Sequence, residues 1–312
     1  NTLADKYFRF SGSANDWVLY NDPATSTMIP GVGYIIRTPK EGNPWPNGEI
    51  VSFPYSQPVA FKGVPNNGDY SFSAGAGEFN LIGNPYPSAI DADSFMTNTN
   101  NASIINGALY FWTHNTVITN NEYTADDYAS YTLTGGTGTG GVGNFVDANN
   151  NGIMDPVEEV VSNRPLGKIA AGQSFFVENA AAGSFQFTNT MRIAGNNSQF
   201  FKQANTKKTA TVEKNRVWLN LTNSGGAFKQ LLVGYITGAT NDWDNLYDGP
   251  TFDGQEFVDF YSVNQGKNLT IQGRALPFAN TDIVPLGYRS TIAGPFDISI
   301  DNRDGSLAGQ AI

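Results

Sequence analysis

The chain has 312 residues, a formal net charge of −10 and a sequence pI near 4.5. That acidity argues against a nucleic-acid partner, which needs clustered Lys and Arg to neutralise phosphates. There is no cysteine and one histidine, His114, so disulfide scaffolds, thiolate metal sites and His-based triads are excluded. Carboxylate chemistry, as in glycosidases, is the catalytic class left.

Charged residues are 15 % and aromatics 13 %, with 34 Gly and 16 Pro. Few charges, many aromatics and many turn formers describe short strands joined by polar turns, not helices. No window approaches the ~18 consecutive apolar residues of a membrane-spanning helix. At about 150 residues per domain the length suggests two domains.

In chain order, residues 7–10, 17–20 and 33–37 read as the first strands. Residues 69–73 alternate with period two, as a half-buried strand does. Residues 79–82 and 109–112 are further strands, and a short helix capped by Ser88 is expected over 88–96. Residues 174–178 and 185–188 suggest a hairpin around Ala180-Ala181-Ala182-Gly183. The Gly-rich run 134–144 lacks the following helix and Lys of a phosphate-binding loop, and reads as a flexible loop.

Residues 203–215 hold one large aliphatic residue, no aromatic, no Gly and no Pro, and suggest a linker. Strand patterns then resume over 217–222, 231–236, 257–263, 269–272 and 296–300. The fold expectation is therefore all-β with two domains. The first, 1–202, is expected to be a β-sandwich with a calcium-loop insertion. A linker at 203–214 leads to a smaller β-sandwich at 215–312, expected to be incomplete at its C-terminus.

Residues 147–158 carry the strongest chemical pattern. Asp147, Asn149 and Asn151 stand at positions 1, 3 and 5 of a twelve-residue calcium loop, with Gly152 at the sharp turn. Ile153 offers its backbone carbonyl at position 7, Asp155 stands at position 9 and Glu158 supplies a bidentate carboxylate at position 12. Pro156 and the preceding glycines argue against flanking helices, so Ca2+ would sit in a loop between strands. The competing reading is an unoccupied Asn-rich turn.

A second acidic group comprises Asp242, Asp244 and Asp248, with Asp253, Glu256 and Asp259 following. It reads as solvated turns, a second calcium site or a catalytic carboxylate pair. Trp17, Trp45, Trp112, Trp218 and Trp243 are the candidate stacking aromatics; Trp45, in the turn Asn43-Pro44-Trp45-Pro46-Asn47, is the candidate glycan contact, while Trp112 and Trp218 lie in strands and are expected in the core. His114 reads as structural.

Several segments carry a resemblance. They are Pro30-Gly-Val-Gly-Tyr-Ile-Ile-Arg37, Phe61-Lys-Gly-Val-Pro-Asn-Asn-Gly68 and Asn80-Leu-Ile-Gly-Asn-Pro-Tyr-Pro-Ser-Ala-Ile-Asp91, with Gly83-Asn-Pro-Tyr-Pro-Ser88 the most distinctive. Further along come Ala171-Gly-Gln-Ser-Phe-Phe-Val177, Phe187-Thr-Asn-Thr-Met-Arg192, Gly234-Tyr-Ile-Thr-Gly-Ala-Thr-Asn241 and Ile271-Gln-Gly-Arg-Ala-Leu-Pro277. Together they resemble a C-terminal-proximal β region of Bacteroidota surface proteins, cargo of the type IX secretion system, many of them adhesin-like or linked to gliding motility. The resemblance implies export across the outer membrane and an extracellular or cell-surface location. Its implied partners are translocon components or outer-membrane surface partners. It implies no enzymatic activity and carries no catalytic residues. It also suggests an internal piece of a larger polypeptide, because similar proteins continue into further strands and a sorting signal.

The expectation is thus a non-enzymatic, calcium-stabilised module of a secreted or surface-displayed protein. The alternatives are a carbohydrate-binding module of a secreted protein and a carboxylate-based glycosidase.

Overall fold

The computed structural model describes residues 6–20, 27–37, 42, 50, 52, 63–113, 118–119, 122–123, 127–139, 164–194, 212–224, 227–252 and 257–310. Among the described residues strand accounts for 49 % and helix for 7 %, so the fold is all-β.

The first part runs β1 (Tyr7–Ser11), β2 (Asp16–Leu19), β3 (Tyr34–Ile36), β4 (Tyr70–Ala74), β5 (Phe79–Gly83) and β6 (Ala89–Asp91). Two short helices, α1 (Ala92–Met96) and α2 (Thr99–Ala102), precede β7 (Ile105–Trp112), β8 (Ile118–Thr119), β9 (Glu122–Tyr123), β10 (Tyr128–Thr132) and β11 (Gly135–Thr137). Then come β12 (Lys168–Ile169), β13 (Ser174–Asn179), β14 (Gly183–Phe187) and β15 (Arg192–Ile193). The second part runs β16 (Lys214–Thr222), β17 (Phe228–Ile236), β18 (Gly249–Pro250), β19 (Val258–Asn264), β20 (Lys267–Arg274), β21 (Leu286–Ser290) and β22 (Asp297–Asp304).

A five-stranded antiparallel sheet, ordered β11-β10-β7-β13-β5, forms the base of the first part. One face packs on the β4–β14 pair, the β12-β6-β15 sheet and α1. Between these layers lies a core including Phe95, Phe111, Phe175, Phe185 and Phe187. Phe95 sits centrally, its ring 5.4 Å from Phe175 and 5.1 Å from Phe187. Burying each such ring contributes about 1.5–3 kcal/mol. The period-two pattern predicted for residues 69–73 holds: Tyr70 and Phe72 are half-buried while Ser71 and Ser73 are exposed.

Three local expectations are corrected. The helix starts at Ala92, and its cap is Asp91, whose carboxylate accepts the Ser94 N–H. Ser88 accepts a hydrogen bond from Arg192 Nε instead. The segments 174–179 and 183–187 are no hairpin: β13 pairs with β5 and β7, whereas β14 pairs with β4. Part of the Gly-rich run is a buried strand, β11, rather than a loop.

The second part is one curled, mixed sheet ordered β21-β19-β20-β17-β16-β22, with β18 added on β20. Only β17 and β20 run parallel. On one face, Val217, Val233 and Tyr235 are covered by Leu276, Phe278 and Leu307. The opposite face carries Trp218, Leu232 and Ile271 and meets the first part. The edge strand β22 leaves Ile298 and Ile300 exposed beside Leu221 and Leu219.

Candidate functional site

The acidic segment predicted as a second site is partly described. Asp248 is fully buried. Its carboxylate accepts the Gly273 N–H at 2.8 Å and the Asp244 N–H at 2.9 Å. Burial pushes its pKa up to about 7 against the lowering effect of those two donors. Asp244 accepts the Thr240 N–H, and Asp242, exposed, accepts from Gln265 Nε2 at 2.7 Å. Asp259 lies apart, with Lys229 Nζ at 3.9 Å. The three carboxylates thus act as local staples. Among the described residues no group of three or more His, Cys, Asp or Glu is placed to hold a metal ion.

The staple at Asp248 holds a segment that locks the two parts of the chain together. Asn245 O accepts the Gly107 N–H, and Asn245 Nδ2 donates to Ile105 O. Leu246 O accepts the Leu133 N–H, and Tyr247 O accepts from both Thr132 and Thr134 hydroxyls. Gly107 has a φ of +100°, and a Cβ there would stand 2.5 Å from Pro250 Cδ. The close approach therefore requires glycine. Trp218 adds a second clasp: its Nε1–H donates to Gly136 O at 2.9 Å. The Arg164 and Arg216 guanidiniums lie 4.6 and 4.8 Å from its ring, and Arg216 also pairs with Asp304.

Asn84, within the distinctive Gly83–Ser88 stretch, is a further hub. Its Nδ2 donates to the carbonyls of Ser88 and Ala170, and its Oδ1 accepts the Tyr86 N–H. The Tyr86 hydroxyl donates to Gly68 O, and Arg192 stacks 5.2 Å from the Tyr86 ring. The motif therefore builds structure, tying three chain segments together.

The other face of the five-stranded sheet is aromatic and largely covered, by Phe10 and Ile35 of the β1–β3 strands and by Phe252, which leaves Tyr110 and Phe176 buried. Phe176 packs edge-on against Phe10 at 5.0 Å and Trp17 at 5.9 Å, and Tyr128 lies 6.1 Å from Phe176. Trp112 stands directly opposite Tyr128 in the β7–β10 register, so the two share this face. Trp17 is 37 % exposed and Trp112 46 % exposed. This corrects the expectation for Trp112, which ends a strand and faces outward, whereas Trp218 is buried as expected. Rings so presented offer apolar faces with polar edges to a partner. Sequence reading placed Trp112 in the core because period two shows that it alternates with its neighbours, not which face is covered.

The predicted calcium loop, Asp147 to Glu158, lies outside the described residues, as do Trp45, His114, Asp253 and Glu256. Among the described residues no helix is long and apolar enough to cross a membrane. No curated protein and no solved structure matches the chain. One family model, described as a domain of unknown function (DUF8693), matches residues 1–312, and the chain belongs to that family.

Proposed function

We propose that this chain is a non-enzymatic recognition module of a secreted or surface-displayed, adhesin-like protein exported by the type IX secretion system. The observation that supports recognition most directly is the exposure of two tryptophans, Trp17 on β2 and Trp112 at the end of β7, at the margin of this aromatic layer. Exposed large aromatics on a rigid sheet are anchors for a partner, because they give large contact area at low conformational cost. The described carboxylates support the same reading. Asp91, Asp248, Asp282 and Asp304 are each engaged in a structural hydrogen bond or ion pair. Secretion and surface partners rest on the sequence resemblance, and Ca2+ at residues 147–158 rests on the loop spacing.

The second reading, carbohydrate binding, is favoured by the same two tryptophans. A glycan array and binding to outer-membrane preparations separate the two. Recognition through these rings predicts that Trp17→Ala with Trp112→Ala weakens binding by about 2 kcal/mol, roughly thirtyfold, in protein whose circular dichroism spectrum is still that of the folded chain. Binding that survives both substitutions would remove these rings from the proposal.

A further inference from the structure

Lys229 on β17 and Asp259 on β19 form an ion pair with Nζ 3.9 Å from Oδ1, their side chains 8 % and 6 % exposed. The pairs Lys168–Asp91, Arg164–Asp301, Arg216–Asp304 and Arg274–Asp282 are all more exposed. Buried residues surround the pair, Gln230 and Thr270 among them beside Lys229. Lys229 stands opposite the buried Leu221, and Asp259 lies between the buried Val258 and Phe260. A buried ion pair gains little over well-packed apolar side chains, so its contribution to stability alone explains it poorly.

Three features suit this pair to chemistry. Condensation needs both groups neutral, and transfer of the Nζ proton to the carboxylate gives a neutral amine beside a neutral acid with no change of net charge inside the buried site. A neutral Lys amine is a nucleophile, which a permanently protonated Arg is not. The Phe260 N–H donates to Asp259 Oδ1 at 2.9 Å, where negative charge would develop during attack on Cγ. The charged group opposite Asp259 in the strand register is Arg289, whose side chain is exposed. Beside Lys229 lies a cavity of about 10 Å³, also lined by Tyr128, Thr139, Gln230 and Thr270, close to the space one water occupies. The chain has no cysteine, so a disulfide cannot staple the curled sheet.

We propose that Lys229 and Asp259 condense into an intramolecular isopeptide bond that ties β17 to β19. The Nζ lone pair attacks Asp259 Cγ and the C–N bond forms. The C–O bond to the protonated oxygen then breaks, and that hydroxyl leaves with an amine proton as water. Ion pair becomes amide plus water, with no oxidant, reductant or co-reactant. The inference is independent of the proposed function.

Intact-mass spectrometry of the folded, purified chain tests this. The wild type is expected to be lighter than its sequence mass by one water, and Lys229→Arg, which keeps the ion pair, to show the full mass. A tryptic digest of the wild type should contain the peptides bearing Lys229 and Asp259 covalently joined, which decides the matter even where the variant folds poorly. Full sequence mass in the folded wild type, or a water deficit that persists in Lys229→Arg, would overturn the proposal.

Discussion

Asp248 shows how one buried side chain organises a segment. Its two oxygens each take a backbone N–H, from Asp244 and Gly273. Removing the carboxylate leaves both donors buried without partners, so Asp248→Ala is expected to cost about 2–4 kcal/mol in denaturant melts. The pH dependence has a definite sign. The folded pKa of about 7 lies above the ordinary 3.8, so the folded state holds this proton more tightly. The resulting stability is full below pH 3.8 and is lost as pH rises through about 7. Asp282 behaves oppositely: hydrogen bonding from Arg274 lowers its pKa, and its contribution is lost as pH falls below 3.8. Between about pH 5 and pH 8 the wild type should lose roughly 2 kcal/mol relative to Asp248→Asn, which does not titrate. Parallel stability profiles would show that Asp248 does not carry this linkage. The sequence marks Asp248 as one acid among several. Its burial follows from β20 passing beside it, a contact 25 residues away along the chain that no local pattern encodes.

Strand existence was legible at the scale of elements, because apolar alternation is a local property. Residues 7–10, 79–82 and 231–236 all fall in strands, as do residues 70–73 of the predicted 69–73. Partner choice was not legible. The short Ala-Ala-Ala-Gly connection between β13 and β14 suggested a hairpin, yet the two strands enter different sheets on opposite sides of the core. The helix cap lies at Asp91 rather than Ser88 because residues 89–91 are drawn into β6, paired with β12 and β15, so the helix begins only after that strand. The loop of residues 147–158 rests on spacing alone. Excess Ca2+ is expected to raise the melting temperature over chelator by roughly 5 °C, through preferential binding to the folded state. Asp147→Ala should abolish that rise. Equal melting temperatures in Ca2+ and chelator would reduce the loop to an Asn-rich turn.

For the whole molecule, the composition fixed the class correctly: few charges, many turn formers and many aromatics yield an all-β chain. What composition cannot convey is the joining of the two parts. The segment 245–250 enters the first part through Gly107, Leu133 and the Thr132 and Thr134 hydroxyls, while Trp218 reaches Gly136. Such long-range contacts hold the five-stranded sheet, which carries Trp112 and against which Trp17 packs, to a second, curled sheet, giving the exposed aromatics a stiff support. A stiff, acidic β scaffold with exposed aromatics fits display outside the cell, where recognition works from a surface. The most direct test labels intact cells of the source organism with an antibody to this chain, with and without a working type IX translocon. Surface labelling that disappears when the translocon is inactivated is the expected result. Recovery of the chain inside cells, with no labelling of intact cells in either strain, would contradict it.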